Sequence, residues 1–213
     1  MKILHLSYSD NNSEGGVFFY LKELTMIQKI YGVDCQWITF KDGNLVLSKK
    51  ELLEKILKIK PSIIHIHGVW TVCTSMIFEL KKITENIIVS PHGMLNRESI
   101  KKTYLREKIS LQYLKKKIYF YLFEKRFLNQ IKYFHALTSA ELKEIRLLFG
   151  DKPIKILSTG FKINPKKNLK IKKELRNIFD DKKKILLFMS RLDEQKGLLE
   201  LINCWQKLSK DLE

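Results

Sequence analysis

The sequence predicts an α/β protein built on a parallel sheet with helices on both faces. Short β-branched runs recur along the chain and alternate with segments of helical periodicity, which is typical of a doubly wound sheet. The run IIVS at 87–90 has no polar alternation, as expected of a strand that helices cover on both faces. Two of these runs end in His-Gly, at His67-Gly68 and His92-Gly93. Ligands bind at the carboxyl ends of strands in open α/β sheets, so we expect the site there.

The elements follow in order along the chain. Ser48 and Glu51 have the spacing of a capping box, so Ser48 is predicted to begin the second helix. Gly32 and Gly150 stand where glycine commonly ends a helix, and Ser139 is the predicted N-cap of the helix before Gly150. Strands are predicted at 2–8, 33–40, 62–67, 86–90, 132–138 and 153–157, and helices at 17–31, 48–60, 69–84 and 140–149.

The longest segment without Gly or Pro is 96–131, where lysines and arginines alternate with tyrosines and phenylalanines. We expect two helices with a bend, because single helices of that length are uncommon in globular domains. A basic helix with interleaved aromatic residues is typical of an element on a membrane surface and would also suit nucleic acid. An ordinary amphipathic helix with its aromatic residues in the core is the remaining alternative.

The character of the chain changes after residue 160. A basic stretch, FKINPKKNLKIKK, has no clear core face, and a new strand at 184–190 and a new helix at 197–208 follow it. We therefore expect one complete domain at 1–160, a linker with a connecting helix at 161–183, and the incomplete start of a second α/β unit at 184–213.

Composition narrows the class of protein. The chain has 213 residues, 45% of them hydrophobic, and no stretch that reads as disordered, as a signal peptide or as a transmembrane span. Cys35, Cys73 and Cys204 are odd in number and far apart, which favours a reducing cytoplasm. The net charge of +17 suits an anionic partner such as nucleic acid, a membrane or a phosphorylated substrate, or else a lysine-rich solvated surface.

Three features suggest chemistry at the strand ends. His92 follows Pro91, which ends its strand, and is expected to face the cleft. Gly15-Gly16 precedes the first helix, where free N–H groups favour a phosphate, although a tight turn explains the two glycines equally well. His65 and His67 share a strand face, but no Asp or further His follows at ligand spacing, so we expect no metal site.

The stretches HIHGVW, SPHGML, LTSAE and SRLDEQKG, after a first strand and a GG loop, together resemble family 4 of the glycosyltransferases. The resemblance implies the GT-B fold, in which two Rossmann-like domains face each other across a cleft. It implies a retaining, metal-independent enzyme of the hexosyltransferase type that needs no cofactor. Such enzymes move a sugar from a nucleotide sugar to a glycan, here expected to be lipid-linked, in lipopolysaccharide, capsule or other cell-surface polysaccharide biosynthesis.

The same resemblance assigns roles to residues. Arg191 and Lys196 match the pair that holds the donor diphosphate, and Gly15 and Gly16 match the loop that closes over it. His92 matches the histidine at the reaction centre. The further candidates for the cleft and the acceptor are His67, Trp70, Met94 and Arg97.

The sequence departs from the family in two places. Ser158-Thr159-Gly160-Phe161 stands where the family has a Pro-Asn-Gly turn, and the pair of glutamates that the family places deep in the donor domain is absent. We therefore expect the chain as given to be inactive alone. The alternatives are an inactive remnant or a module that binds a glycan lipid. The expected location is the cytoplasm, at the inner face of the membrane, with an anionic membrane surface as a partner and no nucleic acid.

Overall fold

In a computed structural model the chain forms two compact units, Met1–Gly160 and Phe161–Glu213. The structure describes residues 1–9, 16–42, 45–96, 111–160, 186–190, 192 and 196–210. The first unit is an α/β sandwich around a single sheet.

The sheet has seven strands in the order β3-β2-β1-β4-β5-β6-β7. All pairs are parallel except β2 with β3, which are antiparallel. The expected parallel α/β sheet is confirmed, and it is consistent with a Rossmann-like fold. The strands are β1 (Lys2–Ser9), β2 (Asp34–Asp42), β3 (Leu45–Val46), β4 (Ile63–His67), β5 (Ile87–Ser90), β6 (Tyr133–Ala136) and β7 (Ile154–Ile156).

The chain reverses its direction of strand addition at β1. It adds β2 on one side of β1 and then returns to add β4 to β7 on the other side. A crevice at the carboxyl ends of such neighbouring strands is where open α/β sheets bind ligands. In this sheet the switch lies between β1 and β4.

The helices of the first unit begin and end close to the predicted positions, with one corrected cap. The Ser48 capping box is confirmed, since Glu51 N–H donates to Ser48 Oγ at 3.2 Å and Ser48 N–H donates to Glu51 Oε2 at 2.7 Å. The prediction that Ser139 is an N-cap was wrong, because Thr138 accepts from Glu141 N–H and Ser139 is already helical. The helices are α1 (Gly16–Ile30), α2 (Lys49–Ile59), α3 (Val72–Ser75), α4 (Ile77–Lys81), α5 (Leu111–Tyr119), α6 (Lys125–Asn129) and α7 (Ser139–Phe149).

The single helix predicted at 69–84 is replaced by a turn and two short helices, α3 and α4. Trp70 has a φ of 65°, which no right-handed helix accommodates. Thr74 Oγ1 donates to the carbonyl of Thr71 at 2.9 Å, and Ser75 Oγ donates to that of Val72 at 2.8 Å. Such side-chain bonds compete with the regular backbone ladder, which explains the break.

The basic aromatic segment is described from residue 111 onward. There α5 runs into a π-helical turn, Phe120–Glu124, and continues as α6. The π turn buries Phe120 and Glu124 together against the sheet domain. Residues 97–110 of the predicted pair of helices lie outside the described residues.

The two faces of the sheet differ in chemistry. One face is apolar and packs into the core with side chains from α2, α3, α4, α6 and α7. Burying each such Leu, Ile or Phe contributes roughly 1.5–3 kcal/mol, so this face accounts for much of the fold's stability. The other face, covered in part by α1, carries polar side chains. The apolar face presents Leu4, Leu6, Ile64, Ile66, Val89, Phe134 and Ala136, and the polar face presents His5, Ser7, His65, His67, Ser90 and His135.

In the second unit the helix α8 (Leu198–Lys210) forms as predicted from 197–208. The strand predicted at 184–190 was wrong over its described part, since residues 186–189 form no regular element. A strand requires a hydrogen-bonded neighbour, and no described residue of this unit pairs with them. Among the described residues of the whole chain, no helix is long and apolar enough to cross a membrane.

Candidate active site

All five histidines of the chain lie on the polar side of the sheet, with His5, His65 and His135 within their strands, His67 at the end of β4 and His92 just after β5. In the strand register His5 lies opposite His65, and the ring centroids of His65 and His67 are 4.0 Å apart. The histidines come from four strands or their ends: His5 from β1, His65 and His67 from β4, His92 from the turn after β5, and His135 from β6.

Three of the histidines form a hydrogen-bonded chain that begins on α1. His5 Nε2–H donates to Gln28 Oε1 at 2.8 Å, which leaves Nδ1 of His5 as an acceptor. Nδ1 of His5 lies 3.0 Å from Nε2 of His67, and Nδ1 of His67 lies 3.0 Å from Nε2 of His92. The chain therefore connects a helix on the polar face with the turn that carries His92.

A second chain has a fixed proton order. The carbonyl of Leu157 can only accept, so His135 Nε2–H donates to it at 2.9 Å and Nδ1 of His135 accepts from Ser90 Oγ–H at 2.6 Å. Ser90 Oγ in turn accepts from His65 Nε2–H at 2.6 Å. Nδ1 of His65 is left with a lone pair.

Burial disfavours the charged form of four of these imidazoles, those of His5, His65, His67 and His92. It lowers the pKa of His65 and of His67 well below the ordinary value, and the neighbouring histidines lower both further. Burial lowers the pKa of His5, although the Gln28 side chain partly offsets this. Burial, with a smaller contribution from His135, lowers the pKa of His92 to about 4.

The turn that carries His92 has a strained backbone and is fixed by a carboxylate from another element. His92 and Gly93 have φ values of 54° and 76°, in the left-handed region that a non-glycine side chain disfavours. The carboxylate of Glu141, on α7, is buried and accepts from the backbone N–H of Gly93 and from that of Leu137, each at 2.7 Å. These charge-assisted bonds fix the turn relative to the end of β6.

The loop after β4 is tied to the same turn. Gly68 N–H donates to the carbonyl of Ser90 at 2.8 Å, and the indole N–H of Trp70 donates to the carbonyl of Met94 at 3.2 Å. Gly68 has a φ of 87°, and a Cβ there would lie 3.3 Å from the Met94 methyl group. The two His-Gly turns therefore form one packed unit.

Glu124 fixes the far side of the Trp70 loop. Its carboxylate is fully buried in the π turn, and its Oε1 accepts from the backbone N–H of Trp70 at 2.8 Å. Burial raises the pKa of Glu124, while the hydrogen bond from Trp70 lowers it. The Trp70 ring packs on Phe120 with centroids 5.3 Å apart. Trp70 is thus held by the π turn on one side and by Met94 on the other.

The start of α1 lies beside His92. Gly16 is the first residue of α1, and Tyr20, one turn later, has its ring 5.3 Å from that of His92 and 5.9 Å from that of His67. The predicted phosphate-binding helix start and the predicted reaction-centre histidine therefore lie at one edge of the sheet. Gly15 lies outside the described residues.

The remaining predicted site residues are Lys196, Arg97 and Arg191. Lys196 is exposed in the second unit, just before α8. Arg97 and Arg191 lie outside the described residues.

Sequence reasoning missed four residues of the site: His5, His135, Glu124 and Glu141. A histidine among apolar residues in KILHLSYS and YFHA was the available signal for the first two. The expectation of no metal site considered ligands that follow His67, whereas His5 precedes it by 62 residues.

A cavity of about 570 Å³ adjoins the histidines on the polar face. Its walls include His5, His65 and His135, together with Gln28 and Tyr20 of α1. Histidine side chains therefore line a space large enough for a small ligand.

A scan against protein-family models found no matching model, and a search of curated proteins found no match.

Proposed function

We propose that this chain forms the acceptor-side domain of a glycosyltransferase with the GT-B fold. The reaction would move a sugar from a nucleotide sugar to a lipid-linked glycan in cell-surface polysaccharide biosynthesis. The observation that carries the proposal is the position of His92, on a strained turn at the carboxyl end of β5 and beside the start of α1. The resemblance of HIHGVW, SPHGML, LTSAE and SRLDEQKG to family 4 supports the same reaction.

The chemistry of the edge suits a sugar and its phosphates. A helix start such as that of α1 offers free N–H groups and a positive dipole end to a phosphate. His92 is partly exposed, and its Nε2 is bonded to His67, so its other nitrogen is left for a hydroxyl group of the sugar or acceptor. A residue held at a strained φ by its neighbours is preorganised for one geometry, which transfer reactions require.

In this proposal the diphosphate is held by Arg191 and Lys196 rather than by a metal. A guanidinium and an ammonium group together can neutralise a leaving diphosphate. Both residues belong to the second unit.

The described part of the basic aromatic segment favours contact with an anionic membrane. Exposed apolar side chains and lysines occur together along α5 and the π turn, which is the composition of helices that lie on membrane surfaces. The exposed apolar residues are Leu114, Ile118, Tyr119, Tyr121, Leu122 and Phe123, and the exposed lysines are Lys115 and Lys117. This contact would bring the cleft to a lipid-linked acceptor.

The test is a transfer assay with a panel of nucleotide sugars and lipid-linked saccharide acceptors, using the full chain together with a donor-domain partner supplied in trans or by fusion. We expect transfer from one donor class and a fall of at least 100-fold in His92→Ala, with an unchanged melting temperature. Lys155→Gln is the matched control, because it changes an exposed side chain of β7, two strands away from β5 and His92, and it should lower transfer less than tenfold. Acceptor binding without transfer from any donor would overturn the proposed transferase activity and favour a glycan-lipid-binding module.

A further inference from the structure

We propose that His5, His65 and His67 form a binding site for a zinc ion. One ring nitrogen from each lies within 4.8 Å of the others, on one face of two neighbouring strands. Three histidines are a recognised set of zinc ligands, and imidazole suits Zn²⁺ and related transition metals. This site is separate in chemistry from the proposed transfer reaction and does not depend on it.

The distances are close to those of a metal site. With Zn–N bonds of about 2.0–2.1 Å, two ligand nitrogens of a tetrahedral site lie about 3.3 Å apart. Nδ1 of His5 and Nε2 of His67 are 3.0 Å apart, so an ion between them would lengthen this distance only slightly. The remaining nitrogen, on His65, has to approach by side-chain rotation alone, because its strand is already paired in register with β1.

Each of the three rings also makes a hydrogen bond through its second nitrogen. On the nitrogen that faces away from the triad, His5 bonds to Gln28 Oε1, His65 bonds to Ser90 Oγ, and His67 bonds to Nε2 of His92. Metal-ligating histidines usually have such a partner on their second nitrogen, which fixes the ring and its tautomer.

The proton positions agree with this assignment. The carbonyl of Leu157 fixes the order His65 to Ser90 to His135, so Nδ1 of His65 carries the lone pair that a metal needs. Gln28 Oε1 accepts the Nε2–H of His5, so Nδ1 of His5 also carries a lone pair. His67 has to move its proton from Nε2 to Nδ1 and donate it to Nε2 of His92, and His92 in turn has to carry its own proton on Nδ1.

An ion has a route to the site. His5 and His65 line the cavity of about 570 Å³, and His65 is partly exposed there. A three-ligand site that adjoins a cavity leaves a fourth coordination position for water or a small ligand. The geometry is thus that of an open site rather than of a closed structural one.

The test is calorimetric titration of the metal-free chain with Zn²⁺, followed by the visible ligand-field spectrum with Co²⁺. The exposed Cys204 is replaced by Ser in every variant, so that a surface thiol does not contribute. We expect one ion per chain with a dissociation constant below about 10 μM. The variants His5→Gln, His65→Gln and His67→Gln should each weaken binding at least 100-fold.

The matched control is Lys155→Gln, an exposed residue that lines the same cavity outside the triad, which should weaken binding less than tenfold. Circular dichroism and the melting temperature establish that each variant is folded, and a variant that fails to fold is replaced by the Asn substitution at the same position. Absence of saturable binding would overturn the proposal. Binding in the ligand variants as tight as in the parent chain, or a cobalt spectrum with sulfur charge-transfer bands, would overturn it as well.

Discussion

The buried histidines should make the first unit sensitive to mild acid. His5, His65, His67 and His92 all have a pKa lowered from the ordinary value of 6.5. In the unfolded chain each regains that value and binds a proton as the pH falls below 6.5, whereas the folded state binds that proton only at a lower pH. The unfolded state then binds more protons, so the free energy of unfolding rises with pH up to about 6.5 and levels off above it.

The magnitude follows from the linkage relation. At pH 5.5 each such histidine lowers the free energy of unfolding by about 1.4 kcal/mol relative to pH 7.5. Four of them give an upper bound of about 5–6 kcal/mol, against a typical total of 5–15 kcal/mol for a domain. Glu124 acts in the opposite direction, because burial raises its pKa and acid favours its folded, neutral form.

The assay is urea denaturation at pH 7.5, 6.5 and 5.5 with a chelator present, followed by circular dichroism. We expect a loss of up to about 1.4 kcal/mol between pH 7.5 and 6.5 and of several kcal/mol by pH 5.5. His65→Gln removes one titrating group and should reduce the loss by about 1.4 kcal/mol. A free energy of unfolding that is constant from pH 7.5 to 5.5 would refute the burial of neutral imidazoles.

Three further predictions concern the turns and the basic segment. Gly68→Ala should lower the free energy of unfolding by about 1–2 kcal/mol, because its φ of 87° disfavours a Cβ; an unchanged denaturation midpoint would contradict this. Glu124→Gln should be tolerated at pH 7.5, since an amide oxygen can accept from Trp70 N–H, whereas Glu124→Ala should cost about 2–4 kcal/mol in the same experiment. Equal costs for the two variants would show that the bond is unimportant. Replacing Lys115 and Lys117 by Gln should weaken sedimentation with anionic vesicles by about 1 kcal/mol for each lysine, and equal binding to neutral vesicles would exclude the membrane surface.

The fold was readable from the sequence because it depends on local pattern. In KILHLSYS, Leu4 and Leu6 alternate with His5 and Ser7, and a period of two assigns them to opposite faces of a strand. The Ser48 capping box was equally local. The pattern failed at 69–84, where Thr74 and Ser75 bond to the backbone and interrupt a helix that apolar spacing alone predicted.

Only part of the candidate site could be predicted from the sequence, because the site depends on which strands are neighbours. His67 and His92 were found from the His-Gly endings of their own strands. His5 meets His65 only because β1 lies next to β4, and strand order is not written in local periodicity. Glu141 reaches Gly93 across 48 residues, so no spacing rule identifies it as the residue that holds the turn.

Stability alone does not explain why one face of the sheet carries buried polar side chains. On the opposite face the same strands bury Leu4, Leu6 and Ile64 completely, so these strands accept buried apolar side chains. Buried polar groups stabilise a fold only when all their hydrogen bonds are made, and replacing them by well-packed apolar groups is often neutral or stabilising. Perturbed ionisable groups beside a cavity are characteristic of functional sites. The acid sensitivity therefore tests whether the folded chain keeps neutral imidazoles beside a cavity, which is the state that binding a hydroxyl group or a metal ion requires.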